Sequence, residues 1–317
     1  MNENLLLLVP IAAEHKALLL ERFRVIDAPD PAARAAAIAT RADDIELVLT
    51  NGSVGFTAAE IAALPNLKLL AAQGAGYENL DVAAAQARGV LVCNGAGTND
   101  DCVADHALAL LLASVRALPQ QGVALRAGRW RDALPLYPSF GGRRLGIVGL
   151  GAIGLKIAHR ATAFGMVVGY HNRRPREDAV AVYFNHMSAL AEWADDLIVA
   201  TPGGASTKHI VDAEVLAALG AGGHVVNISR GSCVDTAALA AALVSGRIAG
   251  AALDVYESEP RPPQELVGLP NVILTPHVAG WSPQSIRATV DCFIANVEAW
   301  RRGEALPTGL SAAAVSR

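Results

Sequence analysis

Short apolar runs that end on turn residues alternate with alanine-rich stretches along most of the chain. In the first hundred residues "LLLLVP", "ELVLT", "LKLLAAQ" and "VLVCN" are runs of the first kind. "AAEHKALLLERF", "TAAEIAALP" and "DVAAAQARG" are of the second. A run apolar at consecutive positions suits a strand buried on both faces of a parallel sheet, and the stretches between suit crossover helices. "DCVADHALALLLASVRALPQQGVALRAG" predicts one long connecting helix over about Asp101 to Gly128. Beyond a glycine-rich unit the alternation resumes with "DDLIVATP", "GHVVNISRG", "GAALDVY" and "NVILTPH", and "SPQSIRATVDCFIANVEAWRRGE" is helical again. The pattern predicts two α/β domains, the simplest arrangement placing the glycine-rich one within the other.

Composition narrows this further. The chain has 317 residues, 52% of them hydrophobic, enough for one large core or two ordinary ones. A net charge of -4 leaves no broad basic surface, so nucleic acid is not an expected partner. Cys93, Cys102, Cys233 and Cys292 show no CxxC spacing and no His-rich companion, which predicts free thiols in a reducing cytosol and no metal site. "LLLLVP" follows Glu3 without a basic flank and is too short to span a bilayer. It reads as a first buried strand, not as a membrane or signal segment.

In "GLGAIG", Gly149, Gly151 and Gly154 have the G-x-G-x-x-G spacing, with Ala152 and Ile153 between. The first glycine permits a tight turn, the second a close approach of backbone to a pyrophosphate, and the third close packing of helix on strand. The helix N-terminus adds free N–H groups and a positive dipole end. The acid that would grip the ribose of NAD should follow the next strand, and there the chain has Asn172, Arg173 and Arg174. Two arginines in a turn are often just solvated. Beside an asparagine that no longer repels a 2′-phosphate, they favour NADP over NAD.

Three more strand ends carry chemistry: Arg230 in "NISRGSCVD", Asp254 and Glu259 in "ALDVYESEP", and His277 in "LTPHVAGWS". An Arg could grip a carboxylate and polarise a carbonyl, a His could protonate its oxygen, and a Glu could hold that His charged. Singly, each has a plain structural reading: a surface ion pair, a loop charge, a capped core histidine. Together at strand ends beside a dinucleotide fingerprint, they point to reduction of a 2-oxo acid.

These segments, with "LPNLKLLAAQGAGYENLDVAAAQARGVLVCNGAGTNDDCVADHALALLLA", resemble the D-isomer-specific 2-hydroxyacid dehydrogenase family from about Glu46 nearly to the end. The resemblance implies two Rossmann-like doubly wound domains, with a dinucleotide domain at 99–282 inserted in a substrate domain of 1–98 plus 283–317. It implies that Arg230, Glu259 and His277 are catalytic. Backbone N–H groups around Ala75, Gly76 and Tyr77 would hold the substrate carboxylate, in a loop that Gly74 and Gly76 keep tight. Thr98, Thr201, Pro202 and Ile228 would meet the cofactor, and Asp254 would orient the nicotinamide carboxamide. Ser53, Val54 and Trp281 would trim the pocket, although Trp281 serves equally well as plain packing.

"LRAGRWRDALPLYPSFGGR", with Trp130, Leu134, Leu136 and Tyr137, resembles the arm that crosses between subunits in this family, which implies a homodimer. Glu259 argues against the formate dehydrogenases, which carry Gln there. The absence of a long C-terminal extension argues against many phosphoglycerate dehydrogenases. The expectation is a cytoplasmic NADPH-dependent reductase of glyoxylate or hydroxypyruvate, forming the D-2-hydroxy acid. The alternatives are a reductase of a bulkier or sugar-derived acid and a nucleotide-sensing relative without turnover, against which the intact Arg230, Glu259 and His277 weigh.

Overall fold

The computed structural model describes residues 3–179 and 181–310. The chain divides into two compact units, Met1–Asn99 with Gly280–Arg317, and Asp100–Ala279. The first unit contains β1 (Asn4–Leu7), α1 (Ala13–Leu20), β2 (Arg24–Asp27), α2 (Pro31–Arg41), β3 (Ile45–Asn51), α3 (Ala58–Ala63), β4 (Leu69–Gln73), α4 (Val82–Ala87) and β5 (Leu91–Asn94). Its strands run parallel in the order β2-β1-β3-β4-β5. The unbroken apolar runs follow from burial on both faces. Leu6, Val48, Leu70 and Val92 pack on one side with Phe56 and Ile61. Leu5, Leu7, Leu47 and Leu69 pack on the other with Phe293 and Val297 of the C-terminal helix Pro283–Arg301. Helix starts are written locally: Asp30 accepts from the Ala32 and Ala33 N–H groups, and Thr57 with Glu60 forms a capping box.

The second unit contains α5 (Asp100–Val115), α6 (Leu118–Arg126), β6 (Arg144–Val148), α7 (Ala152–Ala163), β7 (Val167–His171), β8 (Val182–Phe184), α8 (Met187–Trp193), β9 (Asp196–Val199), α9 (Ala213–Leu219), β10 (His224–Asn227), α10 (Thr236–Val244), β11 (Gly250–Leu253), α11 (Gln264–Val267) and β12 (Val272–Leu274). The order β12-β11-β10-β9-β6-β7-β8, all parallel, grows outward in both directions from β6. The switch point therefore lies between the carboxyl ends of β6 and β9, where open sheets of this kind bind ligands. On one face Leu145, Ile147, Ile198 and Val226 pack under α5 and α7. On the other, Val148, Leu197, Val199 and Val225 pack under α8, α9 and α10.

The long helix predicted over Asp101 to Gly128 is in fact two, α5 and α6, bent by 56°. Pro119 has no N–H to continue the α5 ladder and its ring would clash with the carbonyl four residues back, so the chain turns through Ala117 at φ 48° and restarts. The outer strands β2 and β8 were not read from the sequence: β2 carries Arg24 and Asp27 at its ends, and β8 is only three residues long, Val182–Phe184, and partly exposed. The four thiols are free, and burial together with the Cys292 thiol pushes Cys93 up to about 12. Among the described residues no single helix is long and apolar enough to cross a membrane.

Candidate active site

In the second unit the strand ends gather most of the residues singled out above. Gly149 follows β6 at φ 99°, and a Cβ there would stand 2.7 Å from the backbone of Thr201 across the switch point. A Cβ on Gly154 would meet the Gly149 carbonyl oxygen at 2.3 Å, so α7 packs against the turn only because that residue is glycine. Gly151 differs: it is extended, exposed and has nothing within 4 Å of a Cβ position. It caps α7 without a side-chain bond. Open space in front of uncapped helical N–H groups is what a pyrophosphate requires. Ala152 is exposed beside it, and Ile153 leans on the core.

At the end of β7, Asn172 Oδ1 accepts the Leu150 N–H at 2.7 Å, tying the glycine turn to the next strand. Arg176, which the sequence reading missed, takes the other end of the same residue: its Nη1 donates to the Leu150 carbonyl at 3.2 Å. Its Nε and Nη2 grip Asp178 at 2.8 and 2.6 Å. Arg173 and Arg174 are exposed. No carboxylate occupies the asparagine position, so the cradle fits a dinucleotide and sets no like charge there against a 2′-phosphate. Pro202 and Ile228 follow β9 and β10 on the same edge of the sheet, and Ile228 is buried.

Arg230 leaves β10 on a loop that Asn227 braces, its Nδ2 donating to the Arg230 carbonyl at 2.9 Å and its Oδ1 accepting from the Ser229 N–H and hydroxyl at 3.0 Å. Asp254, buried at the end of β11, shapes the turn after β12. One oxygen accepts from the Thr275 hydroxyl at 2.6 Å and the Val278 N–H at 2.9 Å, and the other from the Ala279 N–H at 2.8 Å. His106 on α5 adds a bond to the Thr275 hydroxyl at 3.1 Å. Between these anchors His277 sits at φ 55°, a left-handed conformation costing a residue with a Cβ about 1–3 kcal/mol. Its N–H donates to the Asp254 carbonyl at 2.8 Å, which helps hold it there.

The ring of His277 is then aimed at Glu259, with Nδ1 to Oε2 at 2.9 Å, while Glu259 Oε1 accepts the Tyr256 N–H at 2.8 Å. The hydrogen bond from Glu259, reinforced by the charges of Glu259 and Asp254, lifts His277 above its ordinary range against burial and the Arg230 charge. Burial would raise the Glu259 carboxyl. The His277 bond, the Tyr256 N–H and the His277 and Arg230 charges outweigh it and hold Glu259 below the usual carboxylate range. A cleft of about 340 Å³, walled largely by Pro260, Pro262, Leu274 and Pro276, opens beside the pair. Among the described residues no cluster of three or more His, Cys, Asp or Glu could hold a metal.

The first unit likewise places its candidates at strand ends. Ser53 and Val54 follow β3 in a turn whose N–H groups Asn51 Oδ1 accepts at 3.0 and 2.7 Å. Ala75, Gly76 and Tyr77 follow β4, and Asn94 braces the loop by donating to the Ala75 carbonyl at 2.8 Å. A Cβ on Gly52 would meet the Gly76 carbonyl carbon at 2.7 Å, so the two loops touch backbone to backbone. Among the described residues no protein acceptor takes the N–H of Ala75 or Gly76. Thr98 follows β5 and bonds the Gly95 carbonyl at 2.7 Å and the Thr289 hydroxyl at 3.1 Å. Trp281 is exposed.

Comparison with known proteins bears directly on this arrangement. The family model for the NAD-binding domain of D-isomer specific 2-hydroxyacid dehydrogenases matches residues 108–279. The chain belongs to that family. Over 306 residues it is 36% identical to a glyoxylate/hydroxypyruvate reductase of Arabidopsis thaliana, covering 96% of this chain and 98% of the relative. It is equally similar, 36% over 306 residues with the same coverage, to a hydroxyphenylpyruvate reductase of Plectranthus scutellarioides. The crystal structure of an NADPH-dependent glyoxylate/hydroxypyruvate reductase of Sinorhizobium meliloti, in complex with NADP and malonate, superposes with a TM-score of 0.87 at 39% identity. It covers 98% of this chain and 97% of that one. The protein is an oxidoreductase of this dehydrogenase family, with two parallel-sheet α/β domains and an NAD-binding domain.

Proposed function

We propose that this dehydrogenase is an NADPH-dependent reductase of small 2-oxo acids, glyoxylate and hydroxypyruvate foremost, forming the D-2-hydroxy acid. The observation that carries the reading is the 2.9 Å contact of His277 with Glu259, at the same carboxyl edge of the sheet from which the Arg230 loop leaves β10. Because Nδ1 is engaged by the carboxylate, the proton available to substrate is on Nε2, and the lifted pKa keeps it there near neutrality. A bound nicotinamide supplies the hydride for the carbonyl carbon. His277 protonates the carbonyl oxygen as the C–O⁻ charge develops, and Arg230 draws on the carboxylate and polarises that carbonyl.

The remaining roles extend this reading. The unclaimed N–H groups of Ala75 and Gly76, with the adjoining Tyr77, receive the substrate carboxylate. Ser53, Val54 and Trp281 bound its side chain, while Thr98, Thr201, Pro202, Ile228 and Asp254 line the nicotinamide side. Asn172, Arg173 and Arg174 take the 2′-phosphate, a preference supported by the absent acid and by the NADP named for the Sinorhizobium relative. The protein acts in the cytoplasm as a homodimer, a state supported by the exposed Trp130 and Leu136 on the arm and Val123 and Leu125 on α6. Sedimentation at micromolar concentration reads that state, and a monomer would refute it.

The equal similarity to a hydroxyphenylpyruvate reductase favours a second reading, a bulkier 2-oxo acid at the same centre. Initial rates with glyoxylate, hydroxypyruvate and 4-hydroxyphenylpyruvate, each with NADPH and NADH, separate the two. Fast turnover of the two small acids with NADPH is expected. Turnover of the aryl acid alone would replace the first reading by the second, and a preference for NADH would overturn the cofactor assignment.

A further inference from the structure

Glu257 stands two residues before Glu259, and a second histidine is bonded to it. His209 Nε2 lies 2.8 Å from Glu257 Oε1, and His209, like His277, is held in the left-handed region, at φ 51°. The other carboxylate oxygen of Glu257 accepts from Thr236 twice, from the hydroxyl at 2.6 Å and from the N–H at 3.2 Å. The His209 N–H donates to the Ser232 carbonyl at 2.8 Å, and Asp235 Oδ2 stands 3.8 Å from His209 Nδ1. These bonds join three loops that leave β9, β10 and β11: the loop beginning at Thr201 and Pro202, the loop from Arg230 to Thr236, and the turn ending at Glu259.

The sheet does not need this connection, because its strands end earlier, at Val199, Asn227 and Leu253. The turn is already anchored to the strand bearing His277, since the Tyr256 hydroxyl lies 2.6 Å from the Thr275 carbonyl and 2.9 Å from that of Leu253. It also presses on the Arg230 loop, where a Cβ on Gly231 would fall 1.9 Å from the Tyr256 carbonyl carbon. What remains adjustable is the rotation of the turn about those contacts, and Glu257 is the side chain that fixes it from outside. Glu259 has little tolerance for such rotation, because both its oxygens are engaged, one by the Tyr256 N–H within the turn and the other by His277 beyond it.

We propose that His209 and Glu257 are positioning residues for the reduction, a carboxylate–imidazole staple that holds the turn so that Glu259 stays aimed at His277 and the Arg230 loop keeps its place. The inference rests on the roles given above to Arg230, Glu259 and His277. The charged groups facing His277 are Glu259, Arg230 and Asp254, and those facing His209 are Glu257 and Asp235. Variation at 209 and 257 leaves the three around His277 chemically unchanged.

The test is the profile of kcat and KM for NADPH-dependent glyoxylate reduction from about pH 5.5 to about pH 9.5. It is run on the wild type, His209→Ala, His209→Gln, Glu257→Gln and His277→Gln, with the Tm and NADPH Kd of each. In the wild type the rate should fall on the alkaline side as His277 loses its proton. In His209→Ala a loosened Glu259 favours the imidazolium less, so that limb should move to lower pH. At the alkaline end kcat should drop on the order of tenfold, below the roughly hundredfold that a full 1 Å misplacement costs. NADPH Kd should stay within about twofold, because the glycine turn is untouched.

Glu257→Gln should move the limb in the same direction, and it carries the test alone if His209→Ala does not fold. His209→Gln, whose amide can still donate to Glu257, should return the limb toward the wild-type position. An alkaline limb that stays in place in both His209→Ala and Glu257→Gln, whatever happens to Tm or kcat, overturns the staple. A wild-type profile with no alkaline limb, or full turnover in His277→Gln, overturns the reading of His277 instead.

Discussion

Acid should loosen the second unit through His224. This residue opens β10 with its side chain buried, its Nδ1 2.8 Å from the Ser114 hydroxyl on α5 and packed beside Gly250 of β11. Burial, helped by the Arg143 charge, pushes it down to about 4 from the ordinary 6.5. Below pH 6.5 the unfolded chain takes up a proton that the folded chain refuses, so stability is full above that value and drains away as pH falls toward 4. With those two values, linkage gives a loss of about 2 kcal/mol by pH 5 and about 3 kcal/mol in the acid limit. The perturbation is His224→Gln, which cannot titrate and retains a polar atom for Ser114. Urea unfolding at about pH 7.5 and about pH 5 in both proteins isolates the contribution, since carboxylates that titrate in the same window cancel in the double difference. The wild type should lose about 2 kcal/mol more than the variant on acidification. Equal losses in the two proteins would refute the claim that a neutral buried imidazole is what makes this unit acid-sensitive.

Two further outcomes concern the cofactor cradle. Gly151→Ala meets no atom and demands no unusual backbone, so stability should change by less than about 0.5 kcal/mol. The added methyl would occupy the pyrophosphate side of the turn, so NADPH affinity in titration calorimetry should fall by about tenfold or more; unchanged affinity would remove the turn from the site. Asn172→Asp keeps an oxygen for the Leu150 N–H but sets a carboxylate against a 2′-phosphate. The NADPH-over-NADH ratio of kcat/KM should fall on the order of ten- to a hundredfold, and an unchanged ratio would place 2′-phosphate recognition elsewhere.

The parallel strands were legible because both their faces are buried: Leu5, Leu6 and Leu7 go alternately to two cores and still read as one apolar run. The glycine turn was legible because two of its three positions, Gly149 and Gly154, are fixed by sterics that no other residue meets, and the third completes the spacing. Arg230, Glu259 and His277 could be named from residue type at strand ends and from family resemblance. Their mutual geometry could not, since Glu259 and His277 are brought together by Asp254, Tyr256 and Thr275 acting through tertiary contacts. Arg176 escaped notice for the same reason: only the fold carries it back to Leu150. The bend at Ala117 was misread although Pro119 is plain in "RALPQQ", because the apolar pattern on either side outweighed one proline. The outer strands β2 and β8 escaped because four and three residues are too few to show a period against their surroundings.

The central claim is that His277, charged by Glu259, delivers the proton in an NADPH-driven reduction. The most direct measurement is kcat/KM for glyoxylate with NADPH in wild type and His277→Gln, alongside the NADPH Kd of each. Loss of a general acid predicts a fall of about 10²- to 10⁴-fold in kcat/KM with Kd unchanged. Wild-type turnover in the variant would contradict the account, because the hydride would then be transferred without the proton donor the account assigns.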